Sequence, residues 1–137
     1  MRAPLAACAA LALTLAAGCG GVQAADLFIL TRTGPTPGTT LTLLVNEEGR
    51  VDCNGVAKPM LDDAQLVQAR TIQEDLHDPA NKHLALAPRP GSVFTYTVRD
   101  PDGTVRFSDN SLAQPSVLHH LQLFAVQVAQ RSCGLSQ

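Results

Sequence analysis

Residues 93–109 read VFTYTVRDPDGTVRFSD, and this stretch decides the fold class. Apolar and polar side chains alternate along Val93–Arg99, as they do in a strand with one buried face. That face carries Phe94, Tyr96 and Val98, and we interpret Tyr96 as a core residue. Asp100–Gly103 then supplies a turn, because Pro101 presets φ at about −65° and Gly103 accepts the left-handed conformation.

The strand that returns from this turn is Thr104–Ser108, with Val105 and Phe107 on the same face. Three earlier segments also have strand character, and they are Leu27–Arg32, Thr39–Val45 and Arg50–Cys53. The last two are joined by Asn46–Gly49, a turn with a glycine available for positive φ. They are therefore expected to form a second hairpin.

Two segments have helical signatures. Asp62 is followed by Gln65 three residues later, which makes a capping box, and Pro79 is expected to end this helix. The second helix is expected to start near Pro115 and to end before Gly134. The apolar stripe of the first helix is Leu66, Ala69, Ile72 and Leu76. The stripe of the second is Leu118, Leu121, Ala125, Val128 and Ser132, with Phe124 beside it.

The element order β-β-β-α-β-β-α predicts an α+β domain. Its simplest architecture is one antiparallel sheet of about five strands, with both helices packed on one face. We expect this single domain to span residues 26–137, after a short tether at residues 19–25 and a leader at residues 1–18.

The leader has the composition of an export signal. Arg2 is its only charged side chain, and the apolar run Leu5–Ala17 is shorter than the roughly 20 residues of a transmembrane helix. Leu15–Cys19 resembles a bacterial lipobox, although Ala16 stands where Leu is commonest. We therefore predict a lipoprotein that is diacylated on Cys19 and anchored in the cell membrane.

A different processing site remains open. Val22–Ala24 has the small-x-small form of an ordinary signal-peptidase site, and cleavage after Ala24 would release a secreted domain.

Export also bears on the cysteines. Beyond the leader and Cys19, only Cys53 and Cys133 remain, and two cysteines in an exported domain usually form one disulfide. The alternative is a pair of buried free thiols. Zinc is disfavoured because neither cysteine has a CxxC or Cys–His spacing.

Charge and motifs exclude several functions. Ten Lys and Arg stand against twelve Asp and Glu in 137 residues, a net charge of −2, which disfavours a nucleic-acid partner. No GxSxG, P-loop, GxGxxG or HExxH motif occurs, so we expect neither an enzyme nor a cofactor.

The histidines offer one alternative to that expectation. His119 and His120 are neighbours on the second helix and point about 100° apart, so they do not chelate one ion together. His77 near the end of the first helix is explained by the helix dipole. A metal site made from His77, His83 and a nearby Asp stays as an alternative.

Two surfaces are candidates for partner binding. The first is an uncharged segment whose two prolines lower the entropy lost on binding, and it consists of Thr33, Gly34, Pro35, Thr36, Pro37, Gly38 and Thr39. The second is the outer side of the second helix at Leu123 and Val126, where apolar residues outside the core stripe need burial or a partner. The main prediction is a non-catalytic binding module of the envelope, whose ligand is an unidentified protein or envelope component.

Residues 93–109 with the Pro-led helix after them resemble the C-terminal half of the emfourin-type protealysin inhibitors. The earlier order is also similar: a strand, the loop Thr33–Thr40, a strand, a turn and a helix capped at Asp62. The resemblance covers about Leu27–Val128, and it implies an α+β fold that inhibits a thermolysin-like metalloprotease. This chain departs from the pattern in its export signal, its cysteine pair and the missing Gly doublet of the first loop. A secreted inhibitor is therefore the alternative function, and a small enzyme or metal-binding protein is the second alternative.

Overall fold

A six-stranded antiparallel sheet organises the protein in a computed structural model that describes residues 24–135. The strands are β1 (Asp26–Thr33), β2 (Leu41–Asn46), β3 (Val51–Cys53), β4 (Val56–Lys58), β5 (Thr95–Asp100) and β6 (Gly103–Ser108). The helices are α1 (Asp63–Asn81) and α2 (Ser116–Arg131). The sheet order is β4-β3-β2-β1-β5-β6. The α+β class and the single antiparallel sheet are confirmed, whereas the predicted leader and Cys19 lie outside the described residues.

The expected count of about five strands is wrong, because Val56–Lys58 forms a sixth strand. It returns beside β3, with Cys53 opposite Val56 and Val51 opposite Lys58. Asn54 and Gly55 both adopt positive φ, of 51° and 79°, which is the backbone of a tight two-residue hairpin turn. Three residues are too few to display an alternating pattern, so the Asn-Gly pair is the one local signal for this strand.

Alternation along the strands buries one face of the sheet beneath both helices. In β1 the inward side chains are Phe28, Leu30 and Arg32, and each is buried. Phe28 meets Phe124 of α2 edge to face, with ring centroids 5.9 Å apart. Tyr96 is buried and stacks on Phe107 at 4.9 Å, so the interpretation of Tyr96 as a core residue is confirmed.

Helix α1 has the predicted capping box, with Gln65 N–H donating to the Asp62 carboxylate at 2.8 Å. The prediction that Pro79 ends this helix is wrong, since α1 continues to Asn81. A proline near the last turn removes one N–H donor, and its φ is compatible with the helix. The buried residues of α1 are Ala69, Ile72, Leu76 and Ala80, whereas Leu66 is only partly buried.

Helix α2 starts directly after Pro115, as expected. Its predicted stripe is buried except for the half-buried Ser132, and Val117 and Ala129 are buried as well. Beyond α2, Cys133 meets Cys53 of β3 with the two sulfur atoms 2.06 Å apart, which is disulfide bonding distance.

The two ends of the sheet differ in what surrounds them. At the end where β1 begins, α1 crosses the sheet: Leu61 N–H donates to Gly49 carbonyl at 2.9 Å in the β2–β3 turn, and Ala80 packs on Gly103 in the β5–β6 turn. We call this the α1 end. The opposite end holds the segment from β1 to β2, and we call it the loop end.

Gly103 does not take the left-handed conformation that the turn pattern predicts. Its φ is 158°, far from the left-handed helical value of about 57° but still a positive φ that residues with a side chain rarely adopt. A glycine is needed there because a Cβ would collide with the backbone carbonyl of Ala80 at the end of α1. The turn is instead closed by the Asp100 carboxylate, which accepts from Asp102 N–H and Gly103 N–H at 2.9 Å each.

Neither helix within residues 24–135 has the length and apolar character needed to cross a membrane. The sheet, both helices and the cysteine pair all lie in that range. A chain prepared from residue 20 onward therefore keeps every element described above.

Candidate functional site

The segment predicted to bind a partner, Thr33–Thr39, is a closed loop at the loop end of the sheet. Its central residues, from Pro35 to Gly38, are exposed, and Gly34 and Thr39 are half-buried. Thr39 closes the loop, because its hydroxyl donates to Thr36 carbonyl at 2.6 Å and its N–H donates to the same oxygen at 3.3 Å. Two prolines and this internal turn leave the loop few alternative conformations.

Arg32 supports the loop from beneath. Its side chain lies on the buried face of the sheet, and the residue is 2% exposed. Its Nε–H donates to Thr39 carbonyl at 3.3 Å, and its guanidinium carbon lies 4.8 Å from the centre of the Phe94 ring. Within the described residues, Nη1 has no hydrogen-bond partner and no carboxylate pairs with Arg32. Arg32 is therefore a buried cation whose contacts serve the loop and Phe94.

Phe94 is the second support of the loop. A Cβ built on Gly34 would lie 2.7 Å from the Phe94 ring and would also collide with the Thr39 side chain, so the loop packs closely on both. The backbone before β5 is held by Asp109, which accepts from Ser92 Oγ at 2.9 Å. Gly34, Thr39 and Phe94 thus fix the position of the loop above Arg32.

Tyr96 is the titratable neighbour of Arg32 across the β1–β5 pairing. Burial raises the pKa of Tyr96, and the positive charge of Arg32 partly offsets that rise. The phenol is therefore neutral at physiological pH, and Tyr96 adds no charge to that of Arg32 beneath the loop.

Chemically, the loop offers a partner an uncharged exposed surface with few alternative conformations, on which two prolines and Thr36 lie. Sequence reasoning identified the loop but missed Arg32 and Phe94 as its supports. A signal for Arg32 was available, because it continues the alternation of Phe28 and Leu30 and so belongs to the buried face of β1.

The second predicted surface is only partly exposed. Leu123 on α2 is 54% exposed, whereas Val126 is half-buried. A single exposed leucine is ordinary on a protein surface. The helix face therefore gives weaker support for a binding site than the loop does.

His77 and His83 lie near the α1 end, beside the β5–β6 turn. His77 Nδ1 lies 3.0 Å from an Asp102 carboxylate oxygen, and Asn81 Nδ2 lies 3.2 Å from His77 Nε2. The hydrogen bond with Asp102 and then its charge raise the pKa of His77. His83 also lies beside this turn, because its Cε1 is 3.2 Å from the position that a Cβ atom of residue 103 would occupy.

These side chains do not form a metal site. Residues 24–135 contain no group of three His, Cys, Asp or Glu side chains arranged to hold an ion. His119 and His120 are exposed on α2. Sequence reasoning missed the His77–Asp102 contact, because it assigned the histidine to the helix dipole and the aspartate to the turn.

A cleft of about 660 Å³ lies next to His77 and Asp102. It is lined by Leu27, Glu47, Arg70, Gln73, Glu74, His77 and Asp102. Arg70 Nη2–H donates to the Glu47 carbonyl at 2.7 Å, so its charge already has a backbone partner. Among the described residues this lining contains no Ser, Thr or Cys, so the His–Asp pair has no hydroxyl or thiol side chain in the cleft to activate.

Comparison with known proteins adds no assignment. No model of a protein family matches the chain, and neither curated proteins nor solved structures give a significant match.

Proposed function

We propose that this protein is a non-catalytic binding module of the cell envelope, that it is anchored through a lipid on Cys19, and that it engages a partner through Thr33–Thr39. The observation that carries the proposal is Arg32, which is buried, has no counter-ion among residues 24–135 and donates to the loop carbonyl of Thr39. Desolvating a guanidinium is unfavourable, and in this position its contacts hold one exposed loop in place.

A loop held in this way suits binding, because less conformational entropy is lost when the partner docks. Three features restrict the conformation of the free loop: the prolines at 35 and 37, the Thr39–Thr36 hydrogen bonds and the packing of Gly34 on Phe94. Preorganisation of this kind raises affinity without adding contacts.

The position of the loop agrees with a membrane tether. The proposed anchor precedes β1, which starts at the α1 end, and the loop follows the last residue of the same strand. Eight extended residues span about 26 Å. The loop therefore lies at the end of the sheet opposite the start of β1, about one strand length from the residue at which the described chain leaves the proposed tether.

The alternative is a secreted inhibitor of a thermolysin-like metalloprotease, released by cleavage after Ala24. The resemblance to emfourin-type inhibitors suggests it. The exposed, uncharged loop held by Arg32 and Phe94 supports it, since a loop with few alternative conformations loses little entropy on entering a protease cleft. A small enzyme has less support, namely the His77–Asp102 contact beside the cleft, and a metal-binding protein has none within residues 24–135, where no three His, Cys, Asp or Glu side chains are arranged to hold an ion.

A substitution in the loop tests the proposal. Thr36→Arg places a long charged side chain on the exposed loop, and Thr71→Arg places the same side chain on the exposed side of α1 as the matched control. A photo-reactive residue at the exposed Thr40, which directly follows the loop and leaves both prolines in place, should crosslink to the partner in envelope extract. We expect Thr36→Arg to abolish that crosslink at an unchanged melting temperature and Thr71→Arg to leave it intact.

Equal crosslinking by both arginine variants would refute the loop as the contact surface. If Leu123→Asp alone abolishes binding in a folded protein, the outer face of α2 is the site instead. Inhibition of purified thermolysin by the parent chain, lost in Thr36→Arg, would decide for the inhibitor.

A further inference from the structure

The face of the sheet that turns away from the helices carries a shallow polar groove. The groove has a volume of about 200 Å³ and lies across β1, β5 and β6. Its lining residues are Ile29, Thr31, Thr97, Arg99, Thr104 and Arg106. Each of these six side chains is half-buried or exposed, and neither α1 nor α2 packs on this face, since both cover the opposite one.

Strand register brings the polar residues of the groove together. Thr97 stands opposite Arg106, and Arg99 stands opposite Thr104, in the antiparallel β5–β6 pair. Arg99 and Arg106 are therefore diagonal neighbours on one face, a relation in which residues are about 7–8 Å apart. Thr31 of β1 lies opposite Thr97 and extends the same row.

Neither arginine side chain has an ion-pair or hydrogen-bond partner in the described part of the chain. The ion pairs of residues 24–135 are Arg50–Glu48 and His77–Asp102, and no side-chain hydrogen bond involves Arg99 or Arg106. Two neighbouring like charges destabilise a sheet surface, and an anion between them would remove that repulsion.

We propose that this groove binds a phosphate group. Each guanidinium carries five N–H donors in a planar fork that pairs bidentately with phosphate, and the three threonine hydroxyls add shorter donors around the same space. No carboxylate lines this groove; Asp26 and Asp100 share a neighbouring hollow with Arg99, and neither forms an ion pair with it among residues 24–135. Its volume suits one phosphate group rather than a large ligand, and that group belongs either to a free phosphorylated solute or to a phospholipid headgroup.

The groove is independent of the proposed binding loop. The loop lies beyond the last residue of β1, whereas the arginines lie on β5 and β6. The phosphate site therefore adds a second ligand to the protein, and Thr36→Arg, which tests the loop, should leave phosphate binding unchanged.

The experiment uses the chain from residue 20 onward with three probes: pyrophosphate, vesicles of phosphatidylglycerol, and vesicles of phosphatidylcholine. Binding is measured by calorimetry and by amide shifts at Thr97 and Thr104 in a phosphate-free buffer of low ionic strength. The test variant is Arg99→Gln/Arg106→Gln. The control is Arg89→Gln/Arg131→Gln, which removes the same charge from two other exposed arginines.

We expect the test variant to bind at least about tenfold more weakly and the control variant to change by less than about twofold. Binding of pyrophosphate without vesicle binding identifies a solute site, whereas binding to phosphatidylglycerol alone identifies a headgroup site, and either result supports the proposal. Equal losses in both double variants would show diffuse attraction to net charge. That outcome, or no binding of any probe by the parent chain, would overturn the proposal.

Discussion

Removal of the Cys53–Cys133 disulfide should lower the free energy of unfolding substantially. The two cysteines are 80 residues apart in sequence, and their Cα atoms lie 5.7 Å apart in the fold. The chain-entropy relation gives about 4.5 kcal/mol for a loop of this length, and measured disulfides more often contribute about 2–4 kcal/mol. We therefore expect a loss between about 2 and 4.5 kcal/mol.

The effect should come mostly from the unfolded chain. An oxidised unfolded chain keeps β3 tied to the residues after α2, so it is more compact and exposes less surface than the reduced one. The urea m-value should accordingly be smaller for the oxidised protein. Cys53 is also buried, so Cys53→Ala/Cys133→Ala should cost slightly more than reduction, because it also removes packing.

The assay is urea unfolding, followed by circular dichroism, of the oxidised chain, the reduced chain and the double alanine variant. Reduction is the matched control because it preserves both sulfur atoms. Thiol titration of the denatured, unreduced chain from residue 20 onward, which lacks Cys8 and Cys19, should find neither Cys53 nor Cys133 free. Two reactive thiols, or equal unfolding midpoints for the oxidised and reduced chains, would refute the reasoning.

Four further perturbations test other parts of the molecule. Arg32→Met should lower the free energy of unfolding by only about 1 kcal/mol, because the loss of a charged hydrogen bond is offset by removal of a buried N–H that has no partner among residues 24–135. Amide hydrogen exchange in residues 33–40 should become faster. Unchanged exchange there would contradict the supporting role of Arg32. The pKa of His77 should exceed 6.5 by NMR titration and return toward it in Asp102→Asn. Since the pKa of His77 is raised in the folded state, the His77–Asp102 contact stabilises the fold fully below about pH 6.5. That stabilisation disappears as the pH rises through the pKa of His77 in the folded protein. Gly103→Ala should cost about 1–3 kcal/mol in urea unfolding, because its Cβ meets the carbonyl at the end of α1. Cys19→Ala should move the protein from the membrane fraction to the soluble fraction or leave it unprocessed, and a wild-type N-terminus at residue 25 without added mass would contradict lipidation.

Local chemistry made much of the fold readable from sequence. The hairpin at residues 93–109 depends on alternation and on a turn within four consecutive residues, and the start of α1 depends on Asp62 and Gln65 three residues apart. Such interactions are settled between near neighbours, so they do not require knowledge of the tertiary structure. The two wrong predictions, the end of α1 and the number of strands, also concern local structure. Pro79 lies near a helix end that tolerates it, and β4 is too short to show an alternation of apolar and polar residues.

The candidate loop could be predicted in part. Two prolines and the absence of charge marked Thr33–Thr39 as an exposed segment, and its central residues are exposed whereas Gly34 and Thr39 are half-buried. Its supports were not predicted, because Phe94 precedes a strand far along the chain and reaches the loop only when β5 pairs with β1.

Sequence alone therefore determined the α+β class, the cysteine pair, the capped first helix and the position of the loop, because each follows from composition or from residues close together in the chain. Tertiary structure decided which distant residues meet. The contact between His77 and Asp102 joins residues 25 apart, and the diagonal placement of Arg99 and Arg106 follows from the register of β5 against β6. Register is fixed by the burial of a whole sheet face, and a slip of one residue would exchange the two faces, so no single residue reveals it.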